Sequence, residues 1–238
     1  MNYVSCLGLF LSANALLGLG VSGPGYRLGL WGFKTGISVV KGAGLLGLTG
    51  VVVSLAGLAL WQTKVFPQGM TPALVGLVIG GCVLGLTLKW KHNLDSVPYI
   101  HDITTDTEHP PLFVAVLPLR AGSENSAEYG GPELAKQQKE GYPDLKPGMV
   151  SGPPDVAFPR ALQAAKDMGW KIVASDPKSL RIEATDTTLW FGFKDDVVVR
   201  LSSAPIGSRI DVRSVSRVGK SDVGANARRI DAYLARLK

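Results

Sequence analysis

The feature that most constrains this chain is a set of three long apolar runs in residues 1–92. The runs cover about residues 3–21, 42–61 and 71–88, and none of them contains an acidic or basic side chain. Each is close to the roughly 17–25 residues that a helix needs to cross a bilayer. Residues 1–92 are therefore predicted to form a transmembrane anchor of three helices, with the lipid membrane as a partner.

The first apolar run has an alternative interpretation as a cleaved signal peptide. No basic residue precedes it and no clear small-residue cleavage motif closes it, which favours an uncleaved span. Between the first two runs, a turn at Gly23–Gly25 leads into an aromatic and basic segment ending at Lys34. Rings and cations of this kind suit the headgroup region.

Charge is distributed unevenly along the chain. The formal net charge is +6, yet the first acidic residue is Asp95. The bases that precede Asp95 are Arg27, Lys34, Lys41, Lys64, Lys89 and Lys91. Because acids and bases balance in the rest of the chain, the whole excess flanks the apolar runs, as in membrane anchors. A nucleic-acid partner is not expected.

Glycine spacing in the third run predicts close helix packing. Gly76 and Gly80 stand four residues apart, as do Gly81 and Gly85, and this GxxxG spacing lets helices approach closely in a membrane. We read it as support for packing between the second and third spans. Since no acid, histidine or arginine lies deep in any run, a transporter or proton pathway is not indicated.

Composition changes abruptly after the third run. Residues 93–154 are predicted to be a polar linker, a short strand at Leu112–Leu119, and an exposed insertion that is helical around Glu133–Lys139. The predicted core of the soluble domain is 155–238. Helices are expected at Val156–Met168 and Ala225–Leu237. Strands are expected at Trp170–Ala174, Ser179–Thr185, Val197–Leu201 and Arg209–Val218, with a further short strand possible at Leu189–Phe193.

This order of elements predicts an α+β fold, in which an antiparallel sheet is covered on one face by two helices. The soluble part would thus be a two-layer domain. The two cysteines, Cys6 and Cys82, lie in apolar runs without metal-ligand or redox spacing.

The last predicted strand carries the strongest candidate site. Its alternating pattern places Ser214 and Ser216 on one face and Arg213 and Arg217 on the other. A turn, Lys220-Ser221-Asp222, follows and leads into the last helix near Ala225. Arginine forks and the free N–H groups of a helix start both suit an anion. The alternative is an Asp–Arg network that joins the last strand to the last helix.

The nearest approach to a catalytic or metal cluster is His101, Asp102 and Asp106. A histidine beside carboxylates can act as a base or a ligand set. Adjacent residues of an extended chain point in opposite directions, however, so local backbone capping is the favoured role. Asp195 and Asp196 are interpreted as turn residues, with salt bridges to Arg213 or Arg217 as the alternative.

Several blocks of this sequence, in the same order, resemble the bacterial and plastid family known as domain of unknown function 1499. The blocks are IHDITTDTEHPP, LWFGFKDDVVVR and DVRSVSRVGKSDVGANARRI, within a resemblance from about Val97 to the C-terminus. GPGYRLGLWGFKTG and the apolar runs resemble the membrane-anchored members. The resemblance singles out His101, Asp102, Asp106, Asp195, Asp196, Arg213, Ser214, Ser216, Arg217, Gly219, Ser221, Asp222, Gly224 and Asn226. It implies no particular reaction.

Two functions remain open. The favoured one is a non-enzymatic binding or scaffolding module without a cofactor, which takes an anionic small molecule, a lipid headgroup or a protein partner. Its candidate ligand-binding residues are Arg213, Ser214, Ser216, Arg217, Lys220, Ser221, Asp222 and Asn226. The alternative is a hydrolase-like or metal-dependent enzyme that uses His101 with Asp102, Asp106 or Asp222. The enzyme would require His101 to lie near Arg213–Asp222 around a concave pocket.

The resemblance also suggests a compartment, the bacterial inner membrane. The excess of basic residues on the domain's side of the spans favours a cytoplasmic domain. Exported relatives suggest the periplasm as the alternative.

Overall fold

A computed structural model describes residues 2–64 and 68–237 of the chain. The chain forms two compact units. The first contains the residues up to Asn93 together with Trp190–Gly192, and the second contains Leu94–Leu189 and the residues from Phe193 onward. Residues 93–154, predicted to be mostly linker and insertion, thus fall almost entirely within the second unit.

The first unit is built from three long helices. They are α1 (Tyr3–Arg27), α2 (Phe33–Gln62) and α3 (Met70–Asp95). All three are long and apolar enough to cross a membrane, which confirms the three predicted apolar helices. The helices extend beyond the predicted runs, and α1 continues through Pro24, where a turn was predicted. In this unit the Trp190 indole donates a hydrogen bond to Ser22 Oγ at 3.2 Å.

Several glycines on these helices lie against serines or backbone of a neighbouring helix. A Cβ added to Gly76 would lie 2.5 Å from Ser54 Oγ, and one on Gly80 would lie 2.7 Å from Ser12 Oγ. The same Gly80 Cβ would lie 2.9 Å from the carbonyl oxygen of Gly47. The third helix therefore packs on both α1 and α2 through this first GxxxG pair. The second pair, Gly81 and Gly85, faces open space.

The second unit contains a six-stranded antiparallel sheet. Its strands are β1 (Asp102–Thr104), β2 (Gly148–Val150), β3 (Lys171–Asp176), β4 (Arg181–Thr187), β5 (Lys194–Ser203) and β6 (Ser208–Ser216). The order is β1-β6-β5-β4-β3, and β2 also pairs with β6. The last strand therefore lies inside the sheet, and it pairs with β5 along its whole length.

Helices α5 (Pro154–Asp167) and α6 (Ala225–Ala235) pack on the face of the sheet that carries the main core. Val212, Val199 and Ile230 are among its fully buried members. This arrangement confirms the predicted α+β fold with a helix-covered antiparallel sheet. The remaining elements are α4 (Gly131–Gly141) and a 3₁₀ helix, η1 (Leu117–Arg120).

The opposite face is covered by residues 105–130, which we call the strap. Under it lies a second, smaller core that contains Phe113, Val116, Val198 and Val215. The predicted strand at Leu112–Leu119 does not form. Its backbone is held instead by the buried Glu183 carboxylate, which accepts hydrogen bonds from Val114 N and Val116 N at 3.0 Å.

Two other local predictions need correction. Leu189–Phe193 contains turn rather than strand, and Asp195 and Asp196 lie inside β5 rather than in a turn. Strands β1 and β2 were not predicted, because three residues are too few to show an alternating pattern.

Candidate functional site

The two faces of β6 present different chemistry, as the alternating sequence predicts. Ile210, Val212, Ser214 and Ser216 face α5 and α6, whereas Arg213 and Arg217 lie on the strap side. The candidate residues of this strand therefore form two separate clusters on opposite faces of the sheet.

Arg213 is the largest fully buried side chain in the described chain. Its guanidinium donates to both oxygens of Asp102, with Nε–Oδ1 at 2.9 Å and Nη2–Oδ2 at 2.7 Å. The remaining bonds go to strap carbonyls, from Nη1 to Pro111 at 3.3 Å and from Nη2 to Ala127 at 2.8 Å. The rings of Phe113 and Tyr129 lie 5.2 and 5.3 Å from the guanidinium carbon. The Arg213 guanidinium, which was predicted to bind a ligand anion, thus binds the Asp102 carboxylate.

Arg217 is paired in the same way with Asp196. The guanidinium donates from Nε to Oδ2 at 2.9 Å and from Nη2 to Oδ1 at 2.8 Å. Arg120 of η1 adds a bond to Asp196 Oδ2 at 2.7 Å. Burial raises the pKa of Asp196, but hydrogen bonds from Arg217, Thr185 and Arg120 outweigh it and leave that pKa below its ordinary value. The salt-bridge interpretation of Asp196 is the one that the structure shows.

A third cluster of charges lies at the other end of the strap face. Asp106 Oδ2 accepts from Arg200 at 3.0 Å and from Arg209 at 3.1 Å, and both arginines also bind Asp211. Burial acts to raise the pKa of Asp106, while backbone bonds from His109 and Glu108 and the two arginines lower it overall. Its carboxylate is therefore held ionised.

On the helix face, Asn226 joins α6 to the sheet. Its Oδ1 accepts from Ser214 Oγ at 2.7 Å, and its Nδ2 donates to the carbonyl oxygen of His101 at 2.9 Å and to Ser216 Oγ at 3.0 Å. Asn226, Ser214 and Ser216 were predicted as ligand-binding residues, and the structure brings them together. Their hydrogen-bonding groups are directed at one another.

Sequence reasoning missed Arg229, which completes this cluster. It donates to Asp186 at 2.7 Å and to Asp195 at 2.6 Å, and its side chain is almost fully buried. The sequence does contain a signal for Arg229, because it stands three residues after Asn226. Residues three apart in a helix lie on the same face. The alternative that was weighed is an Asp–Arg network between the last strand and the last helix. The Asp–Arg bonds of Arg229 join α6 to β4 and β5 instead, and the last strand is joined to α6 through Ser214 and Ser216.

The turn before α6 contains an acidic side chain that accepts hydrogen bonds from backbone N–H groups. The Asp222 carboxylate accepts from Gly224 N at 2.8 Å and from Asn226 N at 2.7 Å, so it occupies the helix start. Burial raises the pKa of Asp222 above its ordinary value. Ser221 Oγ accepts from Val223 N at 3.2 Å, and Lys220 is exposed. These three residues do not converge with Arg213 or Arg217.

His101, Asp102 and Asp106 do not form a cluster. The chain at His101 does fold back onto β6, since Ser216 N donates to the His101 carbonyl oxygen at 3.0 Å. The His101 ring lies 3.4 Å from the carbonyl oxygen of Lys220, whereas the carboxylates of Asp102 and Asp106 bind arginines. Within the described residues, no group of His, Cys, Asp and Glu has the spacing of a metal site.

A groove of about 740 Å³ lies between the strap and α4, and we call it the strap–α4 groove. Its lining is formed by Thr107, Glu108, Pro110, Tyr129, Gly131, Pro132, Ala135, Lys136, Lys139 and Glu140. The Tyr129 hydroxyl is buried, and none of the described residues forms a hydrogen bond with it. Burial, followed by the charge of Asp102, raises the pKa of Tyr129 to about 12. The hydroxyl therefore keeps its proton at neutral pH.

Comparison with known protein families identifies the second unit of this chain. A family model described as "Protein of unknown function (DUF1499)" matches residues 102–237, which include the whole sheet, the strap, α4 and α6. No curated protein matches this chain.

Proposed function

This chain belongs to the DUF1499 family, whose description assigns no activity, and we propose from its geometry that it is a membrane-anchored, non-enzymatic binding module. The ligand we propose is a small organic molecule bound in the strap–α4 groove. The observation that carries this proposal is the buried Tyr129 hydroxyl, which has no bonding partner among the described residues.

A buried hydroxyl without a partner costs free energy, so the Tyr129 hydroxyl favours a partner that the chain does not supply, which is a water molecule or an atom of a ligand. Because burial raises the pKa of Tyr129 to about 12, the group acts as a donor at neutral pH. The matching ligand atom is an acceptor oxygen, and carboxylates and phosphates are the strongest acceptors of this kind.

The rest of the lining fits the same class of ligand. Lys136 and Lys139 are exposed on α4 and can approach an anion, while Pro110, Pro132 and Ala135 contribute apolar surface. Glu108 and Glu140 also line the groove, so a strongly charged anion is disfavoured. A singly charged anion with an apolar body is therefore proposed. A lipid headgroup and a free metabolite are two sources of this chemistry.

The candidate residues on β6 have a different proposed role, as the frame that holds the groove. Arg213 binds the carbonyl oxygens of Pro111 and Ala127, which fixes the strap close to Tyr129. The Tyr129 ring in turn lies 5.3 Å from the guanidinium carbon. A rigid wall reduces the ordering cost of binding, so this buried ion pair supports the groove without contacting the ligand.

We do not propose a hydrolytic role for His101. A general base must reach the proton that it removes, and its orienting carboxylate must reach the base. Asp102 is bound to Arg213 by both oxygens, and Asp106 is bound to Arg200 and Arg209. Neither carboxylate is directed at the His101 ring, which supports binding over catalysis.

We further propose that the protein lies in a bacterial inner membrane with its second unit on the cytoplasmic side. The basis is the excess of basic residues flanking the spans on that side. Exported members of the family are the argument for the periplasmic alternative.

The binding proposal is tested by native mass spectrometry of the full chain released from lipid nanodiscs. Wild type is expected to carry a co-purified small molecule, whose mass distinguishes a lipid from a free metabolite. Tyr129→Phe removes only the hydroxyl and should lose the molecule, whereas Tyr99→Phe, at a residue that is 64% exposed, should retain it. A wild-type protein without a bound molecule, or one still bound in Tyr129→Phe, contradicts the proposal.

A further inference from the structure

One end of the sheet in the second unit combines exposed leucines with exposed lysines. At this end β1 and β4 meet the ends of β5 and β6, as shown by the pairs Asp102–Val215, Thr187–Lys194 and Asp195–Ser216. We call it the tether end, because the chain that follows α3 enters the second unit here.

The entry point is fixed by hydrogen bonds within the second unit. Ser216 N donates to the carbonyl oxygen of His101, immediately before β1 begins. The six residues between α3 and β1, residues 96–101, span at most about 20 Å when fully extended. Since α3 is long and apolar enough to cross a membrane, this short connection limits how far the tether end can lie from a bilayer that holds α3.

Three leucines are exposed at this end. Leu117 and Leu119 of η1 are 47% and 51% exposed, and Leu189, after β4, is 89% exposed. The position of η1 is set by Arg217 at the end of β6, which donates to the carbonyl oxygen of Leu119 at 2.7 Å. Leu117 and Leu119 cannot turn inward readily, because Val116 and Arg120 on either side of them are already buried.

Basic residues accompany the leucines. Lys194 begins β5 opposite Thr187, and the carbonyl oxygen of Lys220 lies 3.4 Å from the His101 ring. Both lysine side chains are exposed. Leucines with adjacent lysines suit the surface of an anionic bilayer, where apolar acyl chains lie beneath charged headgroups. Amphipathic segments that lie on membranes combine the same residue types.

We propose that the tether end is a lipid-binding surface, in which Leu117, Leu119 and Leu189 enter the headgroup region of an anionic bilayer. Lys194 and Lys220 would then contact lipid phosphates. This inference does not rest on the strap–α4 groove. It commits to lipid over a second copy or a protein partner, because a short tether from a membrane span holds this end close to lipid.

The chain offers a matched control at the opposite end of the sheet. Ile206 lies in the turn between β5 and β6 and is 87% exposed, nearly the same as Leu189. Cysteines placed singly at positions 117, 119, 189 and 206, in a full chain with Cys6→Ala and Cys82→Ala, can carry an environment-sensitive fluorophore. The protein is placed in nanodiscs of phosphatidylcholine with phosphatidylglycerol, with or without a doxyl quencher high on the lipid acyl chain.

Labels at 117, 119 and 189 are expected to shift to the blue and to be quenched several-fold more strongly by doxyl lipid than the label at 206. Replacing Lys194 and Lys220 with Gln should weaken that quenching in the anionic nanodiscs. Equal quenching at all four positions, or none at the first three, overturns the proposal. A blue shift without lipid quenching, present only when a nanodisc holds two copies, would assign this end to a second copy instead.

Discussion

Asp102 and Arg213, residues that stand 111 positions apart, form a two-bonded ion pair that is almost completely removed from solvent. The pair joins β1, the first strand of the sheet, to β6, an internal strand. It also fixes the strap, because the same guanidinium binds two strap carbonyl oxygens. Burying two charges is costly unless every donor is satisfied, so this geometry should tolerate little change.

The first prediction concerns Arg213→Lys, which keeps the charge but removes the planar fork. Lysine cannot bind both oxygens of Asp102 and the strap carbonyls together, so we expect the second unit to lose about 2–4 kcal/mol of stability. Hydrogen exchange of the β5 and β6 amides, measured on the full chain, reports this loss. The control is Arg228→Lys, at an exposed arginine on α6, which should exchange like wild type. Equal protection in the two variants would show that the fork has no stabilising role.

A second prediction concerns acid. Because the folded pKa of Asp196 is lowered, the folded protein holds that proton less tightly than the unfolded chain does. Its stabilising contribution is therefore complete above the ordinary pKa of 3.8 and is lost as pH falls through the lower folded pKa. Asp196→Asn should reduce stability at neutral pH and make the acid-induced loss shallower.

The measurement for Asp196 is urea unfolding of the full chain across an acidic pH series. Asp144→Asn, at an exposed carboxylate, provides the comparison and should keep the wild-type profile. A profile for Asp196→Asn as steep as that of wild type would assign the acid sensitivity to other groups, of which Asp106 is the next candidate.

The sequence predicts those elements of the fold whose pattern lies within a single segment of the chain. The apolar runs, the two helices and the four longer strands follow from periodicity within a single segment. The three-residue strands β1 and β2 could not be predicted in this way, because each forms its hydrogen bonds with β6, which is distant in the sequence. The strap could not be predicted in this way either, since Val114 N and Val116 N bond with Glu183, whereas the local sequence at Leu112–Leu119 predicts a strand.

The arrangement of the candidate site residues was also predicted only in part. The alternation along β6 correctly predicts which side chains share a face. It does not reveal that Asp102 fills the fork of Arg213, or that Asp196 fills that of Arg217. Such pairings depend on which strands become neighbours, and one sequence contains no direct signal of that. Tyr129 was missed because a tyrosine in a polar loop has no distinguishing pattern until the structure shows its hydroxyl buried.

The third prediction returns to the helices of the first unit. Isoleucine at Gly76 and Gly80 would force a branched side chain into positions where even a Cβ lies 2.5 and 2.7 Å from serine oxygens. We expect cross-linking between cysteines placed in α2 and α3 to fall several-fold. Isoleucine at Gly81 and Gly85 is the matched control, because those positions face open space. Loss of cross-linking in both pairs would indicate general helix disruption instead of a packing role.

The last prediction concerns the side of the membrane on which the second unit lies. With three spans, the α1–α2 connection and the end of α3 lie on the same side as that unit. The bases on that side are Arg27, Lys34, Lys41, Lys89 and Lys91, whereas Lys64 is the one on the opposite side. The positive-inside rule therefore predicts a cytoplasmic domain.

Ser126 is suited to test this orientation, because it lies exposed on the strap. In a chain with Cys6→Ala and Cys82→Ala, Ser126→Cys supplies the single thiol. Intact cells treated with a membrane-impermeant maleimide should leave this thiol unlabelled, and lysed cells should label it fully. The lysed sample controls for accessibility, since a thiol buried by a partner would stay unlabelled in both. Labelling in intact cells, with the outer membrane made permeable, would place the domain in the periplasm, because long domains can cross despite the charge rule.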